Sequence, residues 1–250
     1  MQAEDFTHLY NLEETFWWFA AMREITDTIV GPQLNAGRLK ILDAGCGTGF
    51  NLCHYQGKDA HDVYALEIDA NAIGWVARRG FRKIAQASVT NIPCKPDTFD
   101  LVFSFDVLQQ IPVEQAAEAM REMRRVLKPG GHLFVRVAAF EWMRSSHDEE
   151  NRTAHRFTKN ELSGMLVRAG FELKYATYAN MLLFPAVALR RFLKAFGIAR
   201  GSDVRPLPEA LGWVDPLFRK ILLLENLVVR RGGRLPFGLS AIAYAEKPKA

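Results

Sequence analysis

The sequence predicts an α/β protein built on a doubly wound, mostly parallel sheet. Three observations carry that expectation. From residue 39 onward, short β-rich runs alternate with helical patterns. The first of these runs passes directly into a glycine loop, Asp43-Ala-Gly45-Cys-Gly47-Thr-Gly49. The second ends on an acidic residue, Glu67, about 20 residues further on.

Residues 1–38 read as a helical lead-in rich in aromatics, with Tyr10 and the run Phe16-Trp17-Trp18-Phe19 followed by Arg23. Four consecutive rings cannot share one core, so some are expected to cover a cleft as a lid, the others packing on the sheet edge. Residues 39–43, 62–69, 82–88, 99–106 and 132–138 read as successive strands. Before the last of these lies an amphipathic helix. Val113, Ala116, Ala117, Met120, Met123 and Leu127 form its apolar face, Pro112 suits its first turn, and Lys128-Pro-Gly-Gly131 is expected to end it as a turn. Thr158-Lys-Asn-Glu161 reads as a capping box opening a helix to Arg168, with Gly170 as its stop. Residues 171–178 and 240–246 are the final two strands. This order divides the chain into a lead-in (1–38), a binding domain (39–179 and 236–250) and an insertion (180–235).

Composition agrees with a chain that folds around a core. Of 250 residues, 49% are hydrophobic and 24% charged, which excludes a disordered tail, a fibre or a low-complexity repeat. Cys46, Cys53 and Cys94 cannot pair completely and have no metal-ligand spacing, so they are expected to be reduced thiols, with no bound metal. The acidic start (Glu4, Asp5, Glu13, Glu14) lacks signal-peptide order, and apolar runs such as 181–189 are about half the roughly 20 residues of a membrane span. A soluble, cytoplasmic protein is expected, with peripheral membrane contact as an alternative.

Glycines after a strand let the backbone turn sharply and approach a ligand closely. An acidic group where Glu67 stands accepts hydrogen bonds from ribose hydroxyls. The dinucleotide pattern G-x-G-x-x-G would need glycine at position 50, where this chain has Phe50. The loop instead reads Asp-x-Gly-x-Gly-x-Gly.

On these residues the chain resembles class I S-adenosylmethionine-dependent methyltransferases, in particular those similar to the small-molecule enzymes of ubiquinone and menaquinone biosynthesis. The matching pieces are residues 41–49, Ala65-Leu-Glu-Ile-Asp69, Phe99-Asp-Leu-Val102, Asp106-Val-Leu108 and Arg125-Val-Leu-Lys-Pro-Gly-Gly131. The resemblance implies a seven-stranded sheet with its last strand antiparallel, and S-adenosylmethionine as cofactor with S-adenosylhomocysteine as product. Asp43, Gly45, Gly47 and Gly49 would hold the methionine part, Glu67 the ribose, and Ile68 would pack on the adenine. Ser88 and Val89 would line the adenine edge, while Phe105 and Asp106 approach the sulfonium. An aromatic pair followed by arginine is common in the family's lead-in, which implies Trp18 and Arg23 at the cofactor cleft. Two positions depart from the pattern. Ser88 stands where aspartate is common, and Gln109-Gln110 replaces a frequent Glu-His; neutral amides take no proton at neutral pH.

Methyl transfer chiefly requires positioning of a nucleophile, and a base only where the acceptor must lose a proton. Candidates for that base lie past the fifth strand: His147 beside Asp148, and His155. Trp142, Arg156, Gln109 and Gln110 are candidate acceptor contacts, Arg156 for a carboxylate or phosphate. His8, His54 and His61 read as surface or structural. Within 180–235, ten basic residues face four acidic ones, a larger surplus than the +4 of the whole chain. With two apolar stretches, the segment reads first as a helical cap over a small, mostly apolar acceptor, or as a dimer contact. Lying on a membrane is the alternative. A nucleic-acid acceptor is the weaker reading, because no Asp/Asn-Pro-Pro-aromatic run follows the fourth strand. A silent cofactor-binding fold is a further alternative, argued against by the intact loop and Glu67.

Overall fold

The structure, a computed structural model, describes residues 3–57, 61–145, 148–149, 151–195 and 215–249. Seven strands form one sheet: β1 (Lys40–Ala44), β2 (Asp62–Glu67), β3 (Ile84–Gln86), β4 (Phe99–Phe105), β5 (Leu127–Ala138), β6 (Glu172–Ala179) and β7 (Ser240–Glu246). Their spatial order is β3-β2-β1-β4-β5-β7-β6. The first five pair in parallel, and β7 is antiparallel to both neighbours. The expected fold class is thus the observed one. The order runs outward from β1 to β3 and then restarts at β4, so a crevice opens between the carboxyl ends of β1 and β4. Open α/β sheets bind ligands at such a reversal.

Helices α1 (Ala3–Thr15) and α2 (Trp17–Leu34) precede the sheet, and α3 (Phe50–Gly57), α4 (Ala70–Arg78), α5 (Val113–Val126) and α6 (Lys159–Arg168) connect its strands. Two more, α7 (Phe184–Ala195) and α8 (Asp215–Arg230), lie between β6 and β7. The central strands are covered on both faces, which is why β1, β4 and β5 bury nearly consecutive residues rather than alternate ones. On one face Leu42, Val102 and Val135 pack with α5 through Ala116, Ala119, Met120, Met123 and Val126. On the other, Ile41, Phe103 and Phe134 meet Met22 and Ile25 of α2. Each fully buried methionine contributes about 2 kcal/mol of transfer free energy.

The capping box forms. Glu161 N donates to Thr158 Oγ1 at 3.1 Å, Thr158 N donates to Glu161 Oε2 at 3.3 Å, and Gly170 follows the helix at φ 88°. The turn expected at Lys128–Gly131 does not. Leu127 leaves α5 already extended, and β5 begins there. Lys247 holds the glycines in the sheet: Gly130 N donates to its carbonyl and its N–H donates to Gly131 O, both at 2.8 Å. The strand absorbs the extra residues as an irregularity opposite Phe99 and Leu101.

Phe16 takes extended backbone and separates α1 from α2, which splits the aromatic run. Trp18 packs on the Arg136 guanidinium, 4.9 Å from ring centre, whereas Trp17 meets Phe218 of α8. The apolar faces of the insertion, expected to be buried as a cap, are buried only in part among the described residues. Helix α8 lies along α2, yet Leu217, Leu224, Leu227 and Val228 face outward, as does Leu189 of α7. Residues 196–214 of the insertion lie outside the described residues. Among the described residues no helix is long and apolar enough to cross a membrane.

Candidate active site

The crevice is built from backbone first. Gly45 N and Cys46 N both donate to Leu66 O, at 2.8 and 3.0 Å, which ties the loop after β1 to the end of β2. Glu67 completes the tie. Its Oε2 accepts from Gly47 N at 2.9 Å, and its Oε1 accepts from Ile68 N at 2.8 Å and Asp69 N at 3.0 Å. Gly45 (φ 95°) and Gly47 (φ 55°) occupy the left-handed region. A Cβ at Gly45 would stand 2.3 Å from Val107 Cγ2, so only glycine lets the loop approach the β4 end. At Gly47 a Cβ would meet nothing within 4 Å; it would point into open space above the loop.

Carboxylates crowd this space. Asp43 is buried at the end of β1, and its Oδ1 has no hydrogen-bond partner. Burial pushes its carboxyl up to about 8, the nearby Glu67 charge adds to the rise, and Arg136 opposes it. From α1, Glu13 reaches the same loop: Thr48 Oγ1 donates to its Oε2, and Arg79 Nη2 lies 3.4 Å away. Burial raises Glu13 to about 7 against the pull of Thr48 and Arg79. Arg79 also donates to Thr48 O at 3.1 Å and stacks on Tyr10, so α1 is docked on the loop by several contacts at once.

Arg136 is the residue that sequence reasoning missed. It sits on β5, almost wholly buried, and both Nε (3.0 Å) and Nη2 donate to Asp106 Oδ2 while its plane faces Trp18 and Phe105. A lone basic residue in the otherwise apolar run Leu133-Phe-Val-Arg-Val137 was the available signal. Phe105 stacks on Phe103 at 5.1 Å. Ile68 is 67% exposed beside Glu67, an aliphatic surface open to a flat ring. Ser88 Oγ bonds Thr90 Oγ1 at 2.8 Å. Val89 is packed into the core, which leaves only its backbone for the adenine edge. Arg23 stacks on Phe50 at 4.0 Å, at the start of α3.

The loop past β5 corrects several expectations. Arg156 is not open to a substrate: Nε donates to Asp148 Oδ1 at 2.7 Å and Nη1 to Ala139 O at 2.6 Å, and both side chains of the pair are buried. Burial alone would raise the Asp148 carboxyl, but Arg156 and Ser145 N hold it below the ordinary range. Asp148 is thus held as the buried ionic partner of Arg156. His147 lies outside the described residues. His155 Nε2 is bonded to the capping-box carboxylate of Glu161 at 2.8 Å, which fixes the ring from that side. Gln109 is a staple. Its Oε1 accepts from Ala138 N, and its carbonyl accepts from Ala154 N and His155 N. Gln110 is exposed and Trp142 is 66% exposed against Phe140 and Phe184, so these two remain open to an acceptor.

A seven-stranded sheet that reverses between β1 and β4, carries a glycine loop there and has β7 inserted antiparallel between β5 and β6 has the class I methyltransferase fold. Residues 42–135 match the family model described as a methyltransferase domain. Similar proteins include cycloartenol-C-24-methyltransferase 1 of Oryza sativa, 27% identical over 50% of this chain and 36% of that protein. The Mus musculus protein named "Probable tRNA methyltransferase 9B" is 32% identical over 40% of this chain and 22% of that protein. The chain thus spans well under half the length of the curated relatives it matches. Among solved structures, the chain described as "the putative methyltransferase" in complex with the Haloferax volcanii Trm112 methyltransferase activator superposes with a TM-score of 0.63 at 17% identity, covering 99% of this chain and 96% of that one.

S-adenosylmethionine, the cofactor of this class, carries two positive charges, and the residues present fit it. The orphaned Asp43 oxygen, the further carboxylates Glu13 and Glu67 and the open space over Gly47 suit a cationic ligand with a ribose.

Two outcomes are expected from this geometry. Arg156→Ala should destabilise the fold by about 3–5 kcal/mol, since it strands a buried carboxylate; a denaturation midpoint unchanged from the parent would restore Arg156 as a substrate contact. Because the folded protein raises the Glu13 carboxyl from 4.5 to about 7, its contribution to docking is full below pH 4.5 and is lost as pH rises through 7. Amide exchange in α1, corrected for intrinsic rate, should therefore speed up from pH 5 to pH 8, and Glu13→Gln should flatten that dependence.

Proposed function

We propose that the chain transfers a methyl group from S-adenosylmethionine to an O or N atom of a small, mostly apolar acceptor. The observation that carries this reading is the glycine loop clamped by Glu67 in an acidic crevice at the sheet's reversal point. The cofactor supplies a methyl group already activated on a sulfonium. Asp43 and the loop hold its methionine part, Glu67 its ribose, Ile68 and Ser88 its adenine, and Asp106, braced by Arg136, borders the sulfonium end. Helix α1 and Trp18 exclude water from above. The lead-in (1–38) is the lid of this domain, and 180–235 is a unit appended to it.

No base is required where the acceptor presents a free lone pair, and then catalysis is orientation. The apolar character of the acceptor rests on Trp142, Phe140, Phe184 and Phe237, whose rings meet beside the β5 end. A lipid-linked acceptor is the second reading, favoured by the outward apolar faces of α7 and α8. A tRNA acceptor, as one relative's name specifies for that relative, lacks a comparable observation.

Calorimetry should give a micromolar-range Kd for S-adenosylhomocysteine. Glu67→Ala should weaken it at least about tenfold by loosening the loop and removing ribose contacts. Tighter binding of a dinucleotide would refute the cofactor assignment. Release of S-adenosylhomocysteine against a panel of apolar metabolites and lipid-linked acceptors tests the transfer itself; cofactor binding without turnover on any acceptor would mark a silent fold.

A further inference from the structure

Helix α8 is amphipathic the wrong way round for a helix facing water. Its buried face carries Glu225 and Asn226 together with Leu222 and Val229. Glu225 Oε1 accepts from Leu182 N at 2.8 Å, and Asn226 Nδ2 donates to Glu24 O at 3.4 Å, so the polar groups serve docking on the body. The opposite face is apolar. Leu217 is 48% exposed, Leu224 57%, Leu227 44% and Val228 40%. These positions recur at three, four and seven residues and so line one stripe. Outside residues 182–237, only Ile68, Trp142 and Val167 are exposed large hydrophobics among the described residues, so the apolar surface is concentrated here.

The exposed charges on the stripe's own face and in the turn after it, among the described residues, are basic. Lys220 is exposed on the stripe's own face, about one helical turn before Leu224, and Arg231 is exposed in the turn that directly follows the helix. From residue 216 to 235 the only acidic residue is Glu225, which is buried. We propose that α8 is a docking face for an anionic lipid surface, its leucines entering the headgroup region and Lys220 and Arg231 meeting phosphates. Long basic side chains beside an apolar stripe can reach outward in this way. Charge decides between a bilayer and a second copy of the chain. A two-fold interface would set this stripe against itself, bringing Lys220 and Arg231 towards their own copies with no exposed carboxylate on the face to pair them. Docking of this kind is independent of whether the chain transfers methyl groups, and of the cofactor crevice.

Sedimentation with vesicles tests it. The full chain should pellet with vesicles of phosphatidylcholine and phosphatidylglycerol at about 0.05 M salt, and binding should fall at least about tenfold at 0.5 M. Phosphatidylcholine alone should bind much more weakly. Leu224→Ser with Leu227→Ser, and separately Lys220→Glu with Arg231→Glu, should each abolish pelleting while S-adenosylhomocysteine binding stays at the parental level, which shows that the variants are folded. No pelleting with anionic vesicles at low salt would overturn the proposal, as would pelleting that survives both pairs of substitutions. A dimer in sedimentation velocity that dissolves on Leu224→Ser with Leu227→Ser, without vesicle binding, would assign the face to a second copy instead.

Discussion

The Glu67 carboxylate is the joint on which the crevice depends. Three backbone N–H groups converge on it, one from the glycine loop and two from the turn after β2. Hydrogen bonds to an ionised acceptor are stronger than neutral ones; the one from Gly47 N links segments 20 residues apart, and the other two fix the carboxylate in its own turn. Together with the bonds from Gly45 N and Cys46 N to Leu66 O, they hold the loop in its left-handed backbone. With the loop fixed, Gly45 can lie against Val107, Asp43 stays dry at the floor, and Thr48 is presented to Glu13. Without that joint the loop would lose its shape, and the acidic residues around it would have no common ligand to face.

The sheet's carboxyl edge carries a second constraint. Asp106, Phe140 and Asn180 follow β4, β5 and β6, and all three take positive φ, at 60°, 59° and 63°. Asparagine and aspartate tolerate this region, but a phenylalanine there is strained by about 1–3 kcal/mol unless its surroundings hold it. Phe140 is held: its ring stacks on Tyr178 at 5.0 Å, and its N–H donates to Phe157 O at 3.2 Å. The bend turns the chain so that Trp142 stands out of the core beside Phe184.

Much of this was legible in the sequence, for physical reasons that differ by element. The strands were visible because burial on both faces demands continuous apolar runs, and the capping box because its two bonds are local. The glycine loop and Glu67 were visible because close approach and ribose binding restrict residue type at fixed spacing. Partner choice across the fold was not. Nothing in spacing tells that Arg156 turns inward to Asp148, that His155 is engaged by the capping glutamate, or that Glu13 reaches Thr48 from 35 residues upstream. Arg136 left a trace as a charge in an apolar strand, but its Asp106 partner follows only from the β4–β5 register, which pairs Phe105 with Arg136. The insertion misled because an amphipathic helix has the same periodicity whichever face is buried. Only packing against α2 shows that the side carrying Glu225 turns inward.

Proton linkage at Asp43 tests the crevice most directly. In the free protein burial holds this carboxyl near 8, so it is largely protonated at neutral pH. A cationic ligand seated over the loop favours its ionised form. Titration calorimetry of S-adenosylmethionine at pH 7, in two buffers of different ionisation enthalpy, should show release of a large fraction of one proton, absent in Asp43→Asn. Affinity should rise with pH up to about 8 and then level off. Binding with no proton released, or release that persists in Asp43→Asn, would contradict the acidic cradle as the seat of the cofactor.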